Sequence, residues 1–148
     1  MAEKLAKAEM LVRRPIAEVF NAFVDPATIT KFWLNSTTGP LSQGAQVEWT
    51  FMVPGATDTV TVTAFEDQLR IAFDWSDGIS VDLRFLEDGD AATRVCVVVS
   101  GFSGDAAINE IVGATEGFSI VLCDLKTLLE SGHSANLVRD RAELISRR

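Results

Sequence analysis

Histidine and cysteine are scarce in this 148-residue chain, with one His and two Cys, and tyrosine is absent. His133 has no second histidine at metal-ligand spacing, and Cys96 and Cys123 form no C-x-x-C pair. No metal site and no disulfide framework is expected, and both thiols are read as free and buried. The G-x-G-x-x-G, P-loop, H-E-x-x-H and G-x-S-x-G patterns are also missing, so neither a catalytic constellation nor a cofactor is expected. Basic residues are few, 13 against 21 acidic, for a formal charge of −8. That balance disfavours phosphate backbones and anionic membrane surfaces, so nucleic acid is not an expected partner. No run reaches the ~18 apolar residues of a membrane span. Met1–Lys7 is charged and lacks the apolar core of a signal peptide, which points to a reduced, cytoplasmic setting.

What is present is apolar patterning: 47% of the residues are hydrophobic, enough for one globular domain over residues 1–148. The dominant stretch is Asp105–Ser131. Ile108, Ile111, Val112, Thr115, Phe118, Leu122, Leu125 and Leu129 recur at helical spacing. Asp105 is placed to cap this helix and Gly132 to end it. A helix of roughly 40 Å with so broad an apolar stripe must lie on a large surface.

Upstream, Leu5–Arg13 alternates as a strand, with Ala6, Ala8, Met10 and Val12 on one face. Pro15 opens a short helix on which Ile16, Val19, Phe20 and Phe23 share a face. Asp25-Pro26 breaks it, and a second short helix runs from Ala27 to about Trp33. The segment Asn35–Gly44, rich in Ser, Thr, Gly and Pro, reads as a loop. Five period-two runs follow. Their apolar faces are Val47-Trp49-Phe51-Val53, Val60-Val62-Ala64, Leu69-Ile71-Phe73-Trp75, Ile79-Val81-Leu83-Phe85 and Val95-Val97-Val99. Short turns join them, so they predict an antiparallel meander with the first strand at its edge. The long helix must cover the apolar face. In the tail, Leu137, Val138, Leu144 and Ile145 suggest docking, while Ser146–Arg148 reads as a frayed end.

This order of elements resembles the helix-grip fold of the START-like (SRPBCC, Bet v-like) superfamily, an α+β architecture with a curved antiparallel sheet wrapped around the C-terminal helix. Several stretches are similar to the activator of heat-shock protein 90 ATPase homologue family in its single-domain bacterial form: R-R-P-I-A-E-V-F-N-A-F-V-D-P from Arg13, K-F-W from Lys31, P-L-S-Q-G-A-Q-V from Pro40, T-R-V-C-V-V-V-S-G-F from Thr93, and E-G-F-S-I-V-L-C-D-L-K-T-L-L-E-S-G from Glu116. Gly117-Phe118 stands where that family usually has Gly-Trp. The resemblance implies a cavity for an apolar ligand between sheet and helix.

The candidate ligand-binding residues are Trp49, Phe51, Phe73, Trp75 and Phe85 from strands, Phe118 and Leu122 from the helix, and Trp33 at the mouth. The competing reading is that these side chains fill the interior themselves. Gly113 and Gly117 tilt the choice towards a cavity, because glycine inside a helix costs up to ~1 kcal/mol against alanine and so points to a bend or a close approach. Equally, they could divide the segment into a short and a long helix. Asp74, Asp82 and Arg84 fall on the polar face as a surface ion-pair set. A one-residue slip would turn them inward, as a cyclase-like enzyme would require. His133 reads as a cation at the helix end. Three functions are thus in view: non-enzymatic binding of a small hydrophobic or amphipathic ligand, a chaperone-associated interaction protein, and a polyketide cyclase-like enzyme. The exposed sheet edge adds a homodimer as an expectation.

Overall fold

A computed structural model describes residues 3–148, leaving Met1 and Ala2 of the charged N-terminal segment outside the description. Strand β1 (Ala6–Val12) leads into helices α1 (Ile16–Val24) and α2 (Pro26–Phe32). Strands β2 (Leu34–Thr37), β3 (Gln46–Phe51), β4 (Thr57–Glu66), β5 (Arg70–Asp74), β6 (Ser80–Glu87) and β7 (Thr93–Ser100) follow, then helices α3 (Ala107–Ser131) and α4 (Leu137–Ser146). The strands form one seven-stranded antiparallel sheet in the order β1-β7-β6-β5-β4-β3-β2. This is the helix-grip arrangement expected, with β1 joining the edge beside β7.

The break between α1 and α2 is made by Asp25. Its backbone is extended (φ −77, ψ 119), as a residue before proline prefers. Its carboxylate accepts bonds from Ala27 N at 3.2 Å and Thr28 Oγ1 at 3.0 Å, capping α2. The buried faces of the two helices, including Phe20, Phe23, Ile29 and Phe32, turn towards the sheet.

Several elements depart from the sequence pattern. Leu34–Thr37, which overlaps the stretch Asn35–Gly44 read as a loop, is a strand paired to β3 with a bulge between Leu34 and Ser36. A short, irregular edge strand shows no alternation. In β4 the register shifts between Val62 and Ala64. Val60 and Val62 face inward, but the bulge reverses the parity, so Phe65 and not Ala64 packs against the core. Leu69 lies in the turn before β5 and is 60% exposed. Cys96 is half-exposed and Cys123 exposed, against the expectation of two buried thiols. Burial, and then the neighbouring Glu9 carboxylate, push the Cys96 thiol up from its usual range; its Sγ lies 3.3 Å from Glu9 Oε2.

Helix α3 runs unbroken through Gly113 and Gly117 for 25 residues. It starts at Ala107 after a turn at Asp105, with no side-chain cap, and ends at Gly132, whose φ of 85 suits glycine. Ile108 and Val112 project into solvent at 74% and 59% exposure. The inward stripe is Ala107, Ile111, Ala114, Phe118, Val121, Leu122, Leu125 and Leu128. Weighting bulky residues over alanines rotates the expected stripe away from this one. The helix approaches β1, α2 and α4 most closely and barely touches β7, so it is offset to one edge of the sheet.

Two polar clusters hold that position. Lys126 Nζ donates to Leu11 O at 2.7 Å and to Glu130 Oε2 at 2.7 Å, and Arg13 N donates to the same Glu130 oxygen at 2.8 Å. At the other helix–tail junction, Asp124 is 1% exposed and accepts from Ser134 Oγ at 2.6 Å and Ala135 N at 2.8 Å. That carboxylate folds the Gly132–Asn136 turn back, so α4 runs over α3.

Asp124→Ala removes a buried acceptor of two part-buried hydrogen bonds and is expected to destabilise the fold by about 1–3 kcal/mol, seen as a lower denaturant midpoint. An unchanged midpoint would remove Asp124 from its role as the tie. The Arg13 N–H, and then Lys126, hold the Glu130 carboxyl below its usual range. Its stabilisation is therefore present above the unfolded-state value of about 4.3 and fades as pH falls through the lower folded value. The melting-temperature gap between wild type and Glu130→Gln should be open at pH 7 and close on acidification; a gap that widens in acid contradicts this.

Candidate functional site

A connected set of aromatic rings runs across the inner face of the sheet among its Val, Leu and Ile side chains. At one end, Phe20 stands edge-on to Phe65 (centroids 5.5 Å) and Phe85 (5.1 Å), and Phe23 to Phe85 (5.7 Å) and Phe32 (5.4 Å). Phe23 reaches Trp33 at 6.1 Å. Trp33 then meets Trp49 at 4.9 Å and Phe118 at 5.6 Å. From Trp49 the contacts continue to Phe73 at 5.3 Å and Trp75 at 5.6 Å. Phe51 and Trp75 close the far end at 5.6 Å. Apart from the tilted Phe51–Trp75 pair, these separations and steep interplanar angles are the favoured edge-to-face geometry.

The eight residues singled out from sequence divide into two groups. Trp49, Phe73, Phe85 and Leu122 are between 0% and 2% exposed and belong to the filled interior. Trp33, Phe51, Trp75 and Phe118 border a cavity of about 280 Å³. The space expected along the whole sheet–helix interface is thus confined to one end. The reason is that α1 and α2 drive Phe20, Phe23 and Phe32 into the other end. Trp33 sits where α2 gives way to β2, and its N–H still bonds to Ile29 O at 3.0 Å. It is 5% exposed, so it forms an inner wall of the cavity.

The other walls were not legible from alternation. Ala114, Gly117, Phe118 and Val121 come from α3; Met52, Val53 and Ala56 come from the β3–β4 turn; Val138, Arg141 and Ala142 come from α4. The spacing of Val138, Ala142 and Ile145 in the tail is the one signal that could have revealed a packed helix there. Gly117 removes a side chain from the wall: a Cβ at that point would meet Arg141 Nη1 at 3.9 Å. No comparable neighbour lies within 4 Å of Gly113. Nearby hydroxyls are turned into α3 itself, with Thr115 Oγ1 on Ile111 O and Ser119 Oγ on Thr115 O, both at 2.7 Å. Arg141 is the one charged residue among those lining the cavity, and its Nε donates to Glu116 Oε1 at 2.8 Å.

The charged set on the sheet lies outside this space. Val81, Leu83 and Phe85 face inward, so the unslipped register places Asp74, Asp82 and Arg84 on the outer face. Asp82 accepts two bonds from Arg70, Nε at 3.2 Å and Nη2 at 3.1 Å, and a longer one from Arg84 at 3.4 Å. Ser80 Oγ donates to Asp74 at 2.6 Å. Arg70, Asp74, Ser80 and Asp82 line a broad outer groove of about 710 Å³ in which they satisfy one another. His133 is exposed, its Nδ1 3.2 Å from Ser131 O at the end of α3. Among the described residues no cluster of three or more His, Cys, Asp or Glu could hold a metal, and no helix is long and apolar enough to cross a membrane.

No curated protein matches the chain. Solved structures do. A Staphylococcus saprophyticus protein is 28% identical, with a TM-score of 0.78 over 88% of this chain and 94% of that one. DynU16, a protein of the dynemicin biosynthetic locus, is 22% identical with a TM-score of 0.78 over 90% of this chain and 49% of its own. The Aha1 dimer of Colwellia psychrerythraea is 16% identical with a TM-score of 0.77, covering 89% and 98%. The latter two likenesses concern the fold alone. The family model described as "Activator of Hsp90 ATPase homolog 1-like protein" matches residues 13–130, a span running from the Arg13 anchor to the Glu130 that binds it, and the chain belongs to that family.

Proposed function

We propose that the protein binds a small apolar molecule, of one-ring or short-chain size, in the cavity between Trp33, Phe51, Trp75, α3 and α4. The observation that carries this reading is an apolar recess left open in an interior otherwise filled by rings and aliphatic side chains. At about 280 Å³ it lies at the lower end of the ~300–1,000 Å³ usual for ligand pockets, which favours a compact ligand over a whole lipid. The walls offer aromatic faces and edges, aliphatic groups and helix backbone at Gly117, with no hydroxyl aimed inward. Binding would therefore be driven by apolar burial and ring contacts.

Tryptophan emission reads the site directly, because the chain has three tryptophans and no tyrosine, and Trp33 and Trp75 both border the cavity. Titration with toluene and with six- to eight-carbon alcohols is expected to shift this emission. A ligand at ten times its Kd should add about 1.4 kcal/mol of stability and raise Tm by ~3–5 °C. Emission and Tm that both stay constant across the panel would overturn the proposal.

The two helix glycines separate stability from binding. Gly113→Ala, in open space, is expected to stabilise α3 by about 0.5–1 kcal/mol and leave toluene binding unchanged. Gly117→Leu places a side chain in the recess and is expected to weaken toluene binding about tenfold or more. Wild-type affinity in the Gly117→Leu protein would put the ligand elsewhere.

A further inference from the structure

The rim of the recess carries a charge that its apolar walls do not require. Arg141 lies on α4 with its side chain 27% exposed, and it lines the cavity beside Gly117. A guanidinium has five N–H donors arranged on two usable edges. In Arg141 the Nε donates to Glu116, and among the described residues neither terminal nitrogen makes a hydrogen bond. The end-on edge, formed by Nη1 and Nη2, is therefore left for another acceptor. Nη1 lies 3.9 Å from where a Gly117 Cβ would stand, which places the free edge against the cavity wall.

Arg141 belongs to a net-basic stretch of the chain. The segment from Leu137 to Arg148 carries Arg139, Arg141, Arg147 and Arg148 against Asp140 and Glu143, in a chain of formal charge −8. Arg147 is engaged with Glu143 at 2.6 Å. Glu116, held below the usual carboxylate range by Arg141, keeps the Nε edge occupied and fixes the plane of the guanidinium. The repulsion expected from the net negative charge is long-ranged and is screened within about 8 Å at physiological salt, whereas contact with Arg141 is direct.

We propose that the ligand is an amphipathic acid, a compact apolar ring or chain ending in a carboxylate that pairs with the Nη1–Nη2 edge of Arg141 at the mouth of the recess. This rests on the proposed binding of an apolar molecule in that recess and assigns the ligand its polar end. The apolar part would lie against Trp33, Trp75 and Phe118, and the carboxylate would stay at the partly wet rim, so little of its charge is desolvated.

The test uses three probes that share one ring and chain: 3-phenylpropionate, 3-phenylpropan-1-ol and 3-phenylpropylamine. Each is titrated by calorimetry against the full-length wild type, Arg141→Gln and the control Arg139→Gln, at low and at physiological salt. In the wild type the carboxylate should bind about five- to tenfold more tightly than the alcohol, and the amine more weakly than either. Arg141→Gln should bring the carboxylate to the level of the alcohol, abolishing the preference, and Arg139→Gln should behave as wild type. Added salt should narrow the preference. Equal or better binding of the alcohol by the wild type would overturn the carboxylate assignment and leave the apolar recess standing, as would a carboxylate preference that survives Arg141→Gln. Failure of all three probes to bind at millimolar concentration would overturn the recess reading as well.

Discussion

One continuous set of edge-to-face ring contacts, with Trp33 as its joint, sets what the rest of the structure can do. Trp33 touches Phe23 on one side and Trp49 and Phe118 on the other, so it links the rings delivered by α1 and α2 to those delivered by the strands and α3. Rings are large and tolerate few packings, and an interior at crystal-like density has little room for error. The half reached by Phe20, Phe23 and Phe32 is closed. The half beyond Trp33 has its sheet-side rings faced by a single helix ring, Phe118, and there the space remains.

The opening depends equally on where the long helix lies. With α3 offset towards β1, its Ala114, Gly117 and Phe118 are left across a gap from β3 and β5. Two charged anchors hold that offset. Glu130 and Lys126 tie one end to the β1–α1 junction, and Asp124 ties the following turn so that α4 covers the gap. A buried carboxylate is costly unless its lone pairs are engaged, which is why Asp124 acts as a structural tie when Ser134 and Ala135 supply the donors. The roof of the cavity is thus positioned by a residue that does not line it.

Much of this was legible in the sequence because the fold rests on period and punctuation. The alternations around Trp49, Phe73, Leu83 and Val97, the helix signature of Phe20 and Phe23, the break at Asp25-Pro26 and the stop at Gly132 each have a local cause that survives in the folded chain. What escaped depends on contacts between distant segments. The β4 bulge, which swaps Ala64 for Phe65, leaves no mark in an alternating Thr/Val run. Leu34–Thr37 is a strand because β3 offers it partners, not because its own residues alternate. The inward face of α3 includes Ala107 and Ala114, small residues that carry little pattern weight but permit close approach. Of the eight candidate site residues, alternation placed the five strand residues on the inner side and helical spacing placed Phe118 and Leu122 there, with Trp33 put at the mouth. Neither pattern could separate Trp49, Phe73, Phe85 and Leu122, which are packed solid, from Trp33, Phe51, Trp75 and Phe118, which border space. That distinction is set by the third wall, α4, whose docking runs through Asp124.

The central claim is that the interior leaves an apolar space and that it lies beyond Trp33. Crystals exposed to pressurised xenon test it most directly, since xenon occupies apolar cavities without needing a polar partner. Density is expected between Trp33, Phe51, Trp75 and Phe118, with none among Phe20, Phe23, Phe32 and Phe85. Xenon in the second cluster, or absent from the first, would contradict this account.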